Sequence, residues 1–290
     1  MANDNVYLNG QILPSHSAAV SVHDAGLLLG ASTFTTMLAR NGRVFRIDQH
    51  IDRLFETVDL LGLATDATPE LIVEETHSLL RINELTDARC RVTLTPGAPE
   101  WNQPTTLITA EPLVMFPPEW YTEGIMAVVS SFKQIPGHPT FGHKTGNYLT
   151  RQLALREALE KGGQDALWYT PDGRLAEGCT SNVFLVLDGK VHTPPRDTPV
   201  LPGVVRQAVL ELCDDLDIPT DAETPLTVHE MLAADEIFLT SSIKGIRPVT
   251  KVEAHCVGDS APGPITRRIM QAYTELLSRE CPPLDGEGGE

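Results

Sequence analysis

The chain has 290 residues, with 22 Lys and Arg against 39 Asp and Glu and a formal net charge of −17. That length allows two domains, or one large one, around a well-buried core, and the negative balance argues against nucleic acid, whose phosphates it would repel. No apolar run is long enough to span a bilayer, the first residues lack the basic and apolar stretches of a signal peptide, and five scattered cysteines without CxxC spacing read as reduced thiols of a cytoplasmic protein, not as a zinc site or a disulfide framework.

Val6-Tyr7-Leu8-Asn9-Gly10-Gln11-Ile12-Leu13 predicts a β-hairpin, with Asn-Gly at a type I′ turn between apolar runs. Asp24-Ala25-Gly26 and Gly30 read as loop punctuation. The β-branched and aromatic stretch 33–39 predicts a strand, turned at Asn41-Gly42. A helix then runs to about Gly62, with Asp48 as its N-cap and Ile51, Leu54, Phe55, Val58 and Leu61 on its apolar face. His50, Arg53 and Thr57 share the adjacent stripe. Thr68-Pro69 opens a second helix, with proline at the first helical position. Strands over 90–95 and 105–109, separated by a Pro/Gly-rich loop at 96–104, complete an α+β domain, and Pro112, Pro117 and Pro118 suit a linker.

The second half opens with a strand over 125–132. A loop at 136–146 and a helix over 147–161 follow, the helix ended by Gly162-Gly163. Strands over 166–170 and 174–177 flank the turn Pro171-Asp172-Gly173, and a strand over 181–187 turns at Asp188-Gly189. Leu201-Pro202-Gly203 leads into a helix whose apolar positions are Val204, Val205, Ala208, Val209 and Leu212. Thr227-Val228-His229-Glu230 is a capping box for a short helix. A buried strand over 236–240 ends at Ser241-Ser242, and 265–277 is a closing helix. The Pro, Gly and acidic tail from Cys281 has little to bury and reads as disordered.

Five elements carry chemistry. Gly142-His143-Lys144-Thr145-Gly146-Asn147-Tyr148 places one lysine in a glycine-flanked segment before a helix. Burial or a cationic neighbour would make Lys144 nucleophilic toward a carbonyl, whereas an open position leaves it a solvated surface residue. Glu177, at a strand end, is either solvated or paired with a cationic heterocycle nitrogen. Gly203 immediately before a helix exposes N–H groups and a positive dipole end that suit a phosphate. Ser241-Ser242 completes such a cup or caps a turn, and Arg53 adds a bidentate guanidinium or remains a surface helix residue. Together, a nucleophilic lysine, a carboxylate and a phosphate cup are what pyridoxal 5′-phosphate requires.

In order and spacing these motifs resemble the class IV aminotransferases, the fold-type IV pyridoxal-phosphate enzymes. These include branched-chain and D-amino acid aminotransferases, (R)-amine transaminases and aminodeoxychorismate lyase. The resemblance runs over residues 6–273. It rests on His50-Ile51-Asp52-Arg53-Leu54, Lys144-Thr145-Gly146-Asn147-Tyr148, Glu177 with Ser181-Asn182-Val183-Phe184, Thr193-Pro194-Pro195, Leu201-Pro202-Gly203 with Arg206, and Thr240-Ser241-Ser242 with Pro248-Val249.

The resemblance implies an α/β (α+β) fold of two domains: a small α/β domain (1–118), a linker (119–124), a larger β-rich pseudobarrel domain that binds the cofactor (125–280), and a disordered acidic tail (281–290). It implies a homodimeric aminotransferase that moves an amino group between an amino acid (or amine) and a 2-oxo acid, with no metal. Lys144 would form the Schiff base and move the proton, and Glu177 would pair with the pyridine nitrogen. Arg53, the amides of Val204 and Val205, and Ser241 or Ser242 would hold the phosphate; Tyr148 would lie near the cofactor's 3′-oxygen. Phe34, with Thr36, would line the substrate pocket, Thr180 would stand behind the site, and His50 would support Arg53.

Departures from subfamily patterns bear on the substrate. Branched-chain enzymes usually place one more residue between the lysine and the tyrosine, and have Phe-Glu where this chain has Phe34-Thr35. D-amino acid aminotransferases tend to carry an arginine where this chain has Pro96. Phe34-Thr35-Thr36 resembles some deoxychorismate lyases, so pyruvate elimination on the same cofactor is the alternative reaction; equally, the two threonines are ordinary strand residues.

Overall fold

Asn9 and Gly10 both take positive φ, 48° and 88°, so the first two strands of the computed structural model, β1 (Asn5–Leu8) and β2 (Gln11–Pro14), close as the hairpin the Asn-Gly pair predicts. The structure describes residues 4–98 and 103–283. Its chain divides into two units: one comprises Met1–Val114, Lys144–Asn147 and Leu276–Glu290, the other Met115–His143 and Tyr148–Glu275.

In the first unit the 24–30 stretch, read from sequence as a loop, contains a short helix, α1 (Ala25–Leu29). The reason lies in Asp24. One carboxylate oxygen accepts from the N–H groups of Gly26 and Leu27, and the other accepts from the buried hydroxyls of Thr95 and Thr105 at 2.8 and 2.6 Å. A local cap is thereby fixed by partners distant in sequence. β3 (Thr33–Arg40), β4 (Arg43–Val44), α2 (Ile47–Leu61), α3 (Pro69–Ile82), β5 (Ala88–Ala98) and β6 (Gln103–Pro112) follow. The expected loop between β5 and β6 is shorter than its Pro/Gly content suggested, and its tip, 99–102, lies outside the described residues.

The strands form one antiparallel sheet in the order β2-β1-β6-β5-β3-β4. Ile51, Leu54 and Val58 of α2 and Ile72, Leu79 and Leu80 of α3 pack with Met37, Cys90, Val92, Leu94 and Ile108 of the sheet. Each such fully buried aliphatic side chain contributes about 1.5–3 kcal/mol. At the start of α2 the N-cap position belongs to Arg46, in the left-handed region at φ 50°, and Asp48 sits in the first turn instead. Arg46 is held there by an ion pair to Glu280 at 3.1 Å. Cys281, which the sequence assigned to a disordered tail, is fully buried, and its carbonyl accepts from Asn41 Nδ2 at 2.8 Å. The rest of that tail, 284–290, lies outside the described residues.

The second unit contains α4 (Glu119–Thr122), β7 (Ile125–Lys133), α5 (Leu149–Glu160), β8 (Asp165–Tyr169), β9 (Leu175–Gly178), β10 (Asn182–Leu187), β11 (Lys190–His192) and α6 (Val204–Asp215). Then come β12 (Thr220–Asp221), α7 (Val228–Ala233), β13 (Glu236–Ser241), β14 (Gly245–Val252), β15 (His255–Cys256) and the greater part of α8 (Pro264–Glu280). Its nine strands form one mixed sheet in the order β12-β11-β10-β13-β14-β7-β8-β9, with β15 on β14. The Thr227 capping box forms as read, with the Thr227 and Glu230 side chains each bound to the other's end of the turn. The mixture of helices and sheets is the α+β class expected.

β14 had no signal in the sequence because Pro248 breaks its pattern. It brings in Arg247, which is fully buried and pairs with the buried Asp165 at 2.8 Å. Asp165 also accepts from the N–H groups of Ala166 and Cys179 and from Ser181 Oγ. Burial alone would raise this carboxyl's pKa; Arg247, and then Lys244, hold it below the ordinary carboxylate range. The cluster fixes the 178–181 turn immediately after Glu177.

Candidate active site

Within the first unit, the Lys144 segment lies along the start of β3. The Lys144 carbonyl accepts from the Phe34 N–H at 2.9 Å and from Thr33 Oγ1 at 3.0 Å, and the Gly146 N–H donates to the Ser32 carbonyl at 2.8 Å. Two anchors on a short stretch fix the direction in which the side chain leaves. Gly146 is required for this approach: a Cβ there would collide with Ser32 Oγ. The Lys144 ammonium lies 4.8 Å from the centroid of the buried Phe34 ring.

Opposed residues on neighbouring strands share a face. Phe34 faces Thr93 and Thr36 faces Arg91, so these four side chains line the same side of the sheet. The Arg91 guanidinium carbon is 3.7 Å from the Phe34 centroid, and its Nε donates to Thr93 Oγ1 at 3.1 Å. Sequence reading missed Arg91; its only signal was a charged residue alternating with the apolar Cys90 and Val92.

On the helix-facing side, Arg53 is buried with His50 and Thr35. Its Nη2 donates to Thr35 Oγ1 at 3.2 Å and lies 3.3 Å from His50 Nδ1, which is itself 3.0 Å from Thr35 Oγ1. Arginine only donates, so Nδ1 accepts and the ring proton sits on Nε2. Burial, then the charges of Arg53 and Lys144, push the His50 pKa well below its ordinary value. Thr35 is therefore engaged with Arg53 and His50, whereas Thr36 lies on the Phe34 face.

In the second unit, Glu177 is buried at the end of β9. Its Oε1 accepts from Arg151 and Gln134, and its Oε2 from the N–H of Leu201. Leu201 continues the chain of contacts: its carbonyl accepts from Asn182 Nδ2 at 2.8 Å, and Asn182 pairs across the sheet with Thr240. A Cβ on Gly203 would strike Asn182 Oδ1, so this contact depends on glycine at the N-cap of α6. No side chain caps that helix, and Val204 and Val205 are its first two residues. Their N–H groups are among the four that a helix start leaves without an intrahelical partner. Ser241, half-buried at the end of β13, accepts from the Lys244 N–H at 3.3 Å. Thr240 Oγ1 is buried with no partner among the described residues. The second unit thus brings together Glu177, the α6 N-terminus and the Thr240-Ser241-Ser242 strand end.

Tyr148 stands at the N-cap position of α5, with the Arg151 guanidinium 5.8 Å from its ring centroid. Taken unit by unit, the residue types suit parts of pyridoxal phosphate: the second unit carries an uncapped helix start and serines that suit a phosphate and a carboxylate that suits a ring nitrogen, and the first carries a buried arginine and an anchored lysine that suits an aldehyde. Among the described residues no group of His, Cys, Asp and Glu could hold a metal ion, and no helix is long and apolar enough to cross a membrane.

A family model described as amino-transferase class IV matches residues 32–252. A protein of Methanocaldococcus jannaschii named a putative branched-chain-amino-acid aminotransferase is 31% identical over 284 residues, covering 94% of this chain and 96% of its own. The crystal structure of the Escherichia coli branched-chain amino acid aminotransferase superposes with a TM-score of 0.91 at 29% identity, covering 99% of this chain and 98% of that one. The T.th. branched-chain amino acid aminotransferase, solved with pyridoxamine 5′-phosphate, superposes with a TM-score of 0.90 at 25% identity, covering 96% of this chain and 95% of that one. The chain belongs to the amino-transferase class IV family.

Proposed function

We propose that this aminotransferase uses pyridoxal 5′-phosphate to move an amino group between an amino acid (or amine) and a 2-oxo acid, with Lys144 as the residue that attaches the cofactor and moves the proton. The observation that carries the assignment is the double anchoring of the Lys144 peptide to β3 beside Phe34. When bound, the cofactor supplies an aldehyde that condenses with amines and a ring that accepts an electron pair. Glu177 accepts the ring N–H and so keeps the proton on the ring. Arg53, the amides of Val204 and Val205, and Ser241 or Ser242 bind the phosphate, whose charge the helix dipole favours. Tyr148 hydrogen-bonds the 3′-oxygen. Lys144 would hold the cofactor's aldehyde carbon and, as a free amine, would move the proton at the substrate carbon.

Phe34, Thr36 and Arg91 give the substrate side one apolar wall and one cation. A guanidinium there suits a carboxylate of the amino or 2-oxo acid. The short Lys144-to-Tyr148 spacing and Thr35 depart from the branched-chain pattern, while the relatives named above carry branched-chain names. Those relatives are aminotransferases, which leaves pyruvate elimination without a supporting observation. A half-reaction screen tests the assignment: the loaded enzyme loses its visible absorbance with substrates and keeps it with others. L-leucine, L-isoleucine and L-valine are set against L-glutamate, D-alanine and the two enantiomers of a simple amine. A loaded wild type that responds to no amino compound contradicts the proposal.

The reading also makes the protein a cytoplasmic homodimer. Five free thiols suit a reducing compartment. Leu27, Leu28 and Leu29 of α1 are 66%, 61% and 77% exposed, an apolar run suited to a second copy. Sedimentation at micromolar concentration tests this, and a monomer contradicts it.

A further inference from the structure

Glu177 is the centre of a buried polar network whose other members the assigned chemistry does not use. Oε1 accepts from Arg151 Nη2 at 2.6 Å and from Gln134 Nε2 at 3.1 Å, while Oε2 accepts from the Leu201 N–H at 3.0 Å. The other arm of the guanidinium, Nη1, donates to the carbonyls of Gly178 and Cys179, each at 3.1 Å. Arg151 therefore grips both the carboxylate and the backbone just beyond it. Gln134 locks the arrangement from the opposite side: its Oε1 accepts from Arg151 Nη2 at 3.4 Å, and its Nε2 also donates to the Pro199 carbonyl. Trp168 closes the space beneath the guanidinium, whose central carbon lies 5.3 Å from its ring centroid.

A carboxylate offers about four lone-pair positions. Among the described residues, three donors use two positions on Oε1 and one on Oε2. The remaining position, on Oε2, is the one an added N–H donor would meet. A carboxylate this buried is costly without a compensating cation, and the Arg151 side chain, 13% exposed against 4% for Glu177, supplies one. Burial works most strongly against the Arg151 charge, but Glu177, Tyr148 and Cys179 together raise the guanidinium pKa. Arg151 comes from the first turn of α5, beyond the end of the Lys144 motif, so nothing in the motif itself pointed to it.

We propose that Arg151, supported by Gln134, is a positioning residue for the ring-nitrogen side of the cofactor site, fixing the orientation of the Glu177 carboxylate so that it is presented through Oε2. The proposal rests on the reading of Glu177 as the ring-nitrogen partner. It differs from a purely structural role, in which Arg151 only ties down the Gly178 and Cys179 carbonyls. In that case its loss would be felt equally whether or not residue 177 carries a charge.

A double-mutant cycle separates the two. Full-length protein stripped of cofactor is titrated with pyridoxal phosphate for wild type, Arg151→Leu, Arg151→Lys, Glu177→Gln and the Arg151→Leu/Glu177→Gln pair, and thermal unfolding of each stripped protein is recorded. Arg151→Leu is expected to raise the cofactor dissociation constant roughly tenfold or more, a scale set by the ~1.4 kcal/mol that separates factors of ten. Arg151→Lys, which restores the charge without the fork, recovers part of that loss. In the Glu177→Gln background the Arg151→Leu effect shrinks to about twofold, because the charge it served is gone. An equal rise in both backgrounds, or no rise at all, overturns the proposal. Should Arg151→Leu fail to fold, Arg151→Lys with and without Glu177→Gln carries the same cycle, and equal effects in both again overturn it. The Glu177 reading fails separately: near-normal turnover in Glu177→Gln contradicts that reading whatever Arg151 does.

Discussion

Thr33 holds the peptide of Lys144: from a fully buried position at the start of β3, its Oγ1 donates to the Lys144 carbonyl at 3.0 Å. The bond joins residues 111 positions apart, and with the Gly146-to-Ser32 bond it makes the lysine's placement a property of the small sheet, not of its own loop.

Gly146→Ala should therefore disturb the lysine without touching it. The new methyl meets Ser32 Oγ, and a misplacement of about 1 Å is enough to cost on the order of 100-fold in turnover. Ser32→Ala removes the obstructing oxygen, so the double variant should recover most of the rate. Steady-state kinetics on both check this, and a single variant with normal turnover contradicts the anchoring.

His50 gives a pH dependence of stability with a definite sign. Its pKa in the folded protein lies well below the ordinary 6.5, through burial first and then Arg53 and Lys144. Above about pH 6.5 the ring is neutral in both folded and unfolded chains, and the group is indifferent to pH. Below it the unfolded chain takes up the proton first, so folding stability falls by up to ~1.4 kcal/mol per pH unit. The gap in unfolding free energy between wild type and His50→Gln should narrow as the pH drops from about 7 to about 5. Denaturant unfolding of cofactor-free protein at the two pH values measures it, and a constant gap contradicts the assignment.

The Asp165–Arg247 pair behaves as a buried ion pair. Arg247 Nε and Nη1 have no partner among the described residues, so Asp165→Asn leaves a buried guanidinium without its counter-charge. The expected loss is about 3–5 kcal/mol, read as a lowered denaturant midpoint. Wild-type stability from this pair is present at neutral pH and is lost as the pH falls through the depressed Asp165 pKa. A change below about 1 kcal/mol, the level of an exposed pair, contradicts it.

Thiol reactivity should single out one residue. Burial pushes the Cys90 pKa up to about 12 and those of Cys179 and Cys213 to about 11, and Cys281 is fully buried. Cys256 is exposed. Native protein should take up one equivalent of a maleimide, at Cys256, and denatured protein all five; modification of Cys179 in the native state contradicts the packing around Asp165.

The outline of both sheets was legible wherever a local rule acted alone. The Asn9-Gly10 and Asp188-Gly189 turns, the Thr68-Pro69 start of α3 and the Thr227 capping box each depend on residues close in sequence. What escaped was fixed at long range. Asp24 caps α1 because Thr95 and Thr105 hold its other oxygen. Arg46, not Asp48, stands at the α2 start because Glu280 binds it. β14 is a strand in spite of Pro248 because its neighbours on both sides complete the ladder. The same division runs through the site. Lys144, Glu177 and the Pro202-Gly203 helix start could be named from motifs, whereas Arg91 and Arg151 enter only through cross-strand and through-space geometry.

The most direct test of the central claim is the location of the cofactor's covalent bond. Wild-type protein loaded with pyridoxal phosphate is reduced with borohydride, digested, and its modified peptides identified by mass spectrometry. A single phosphopyridoxyl group on Lys144 is expected, and none in Lys144→Ala. A modified peptide carrying another lysine, or reduced protein with no modification, would contradict it.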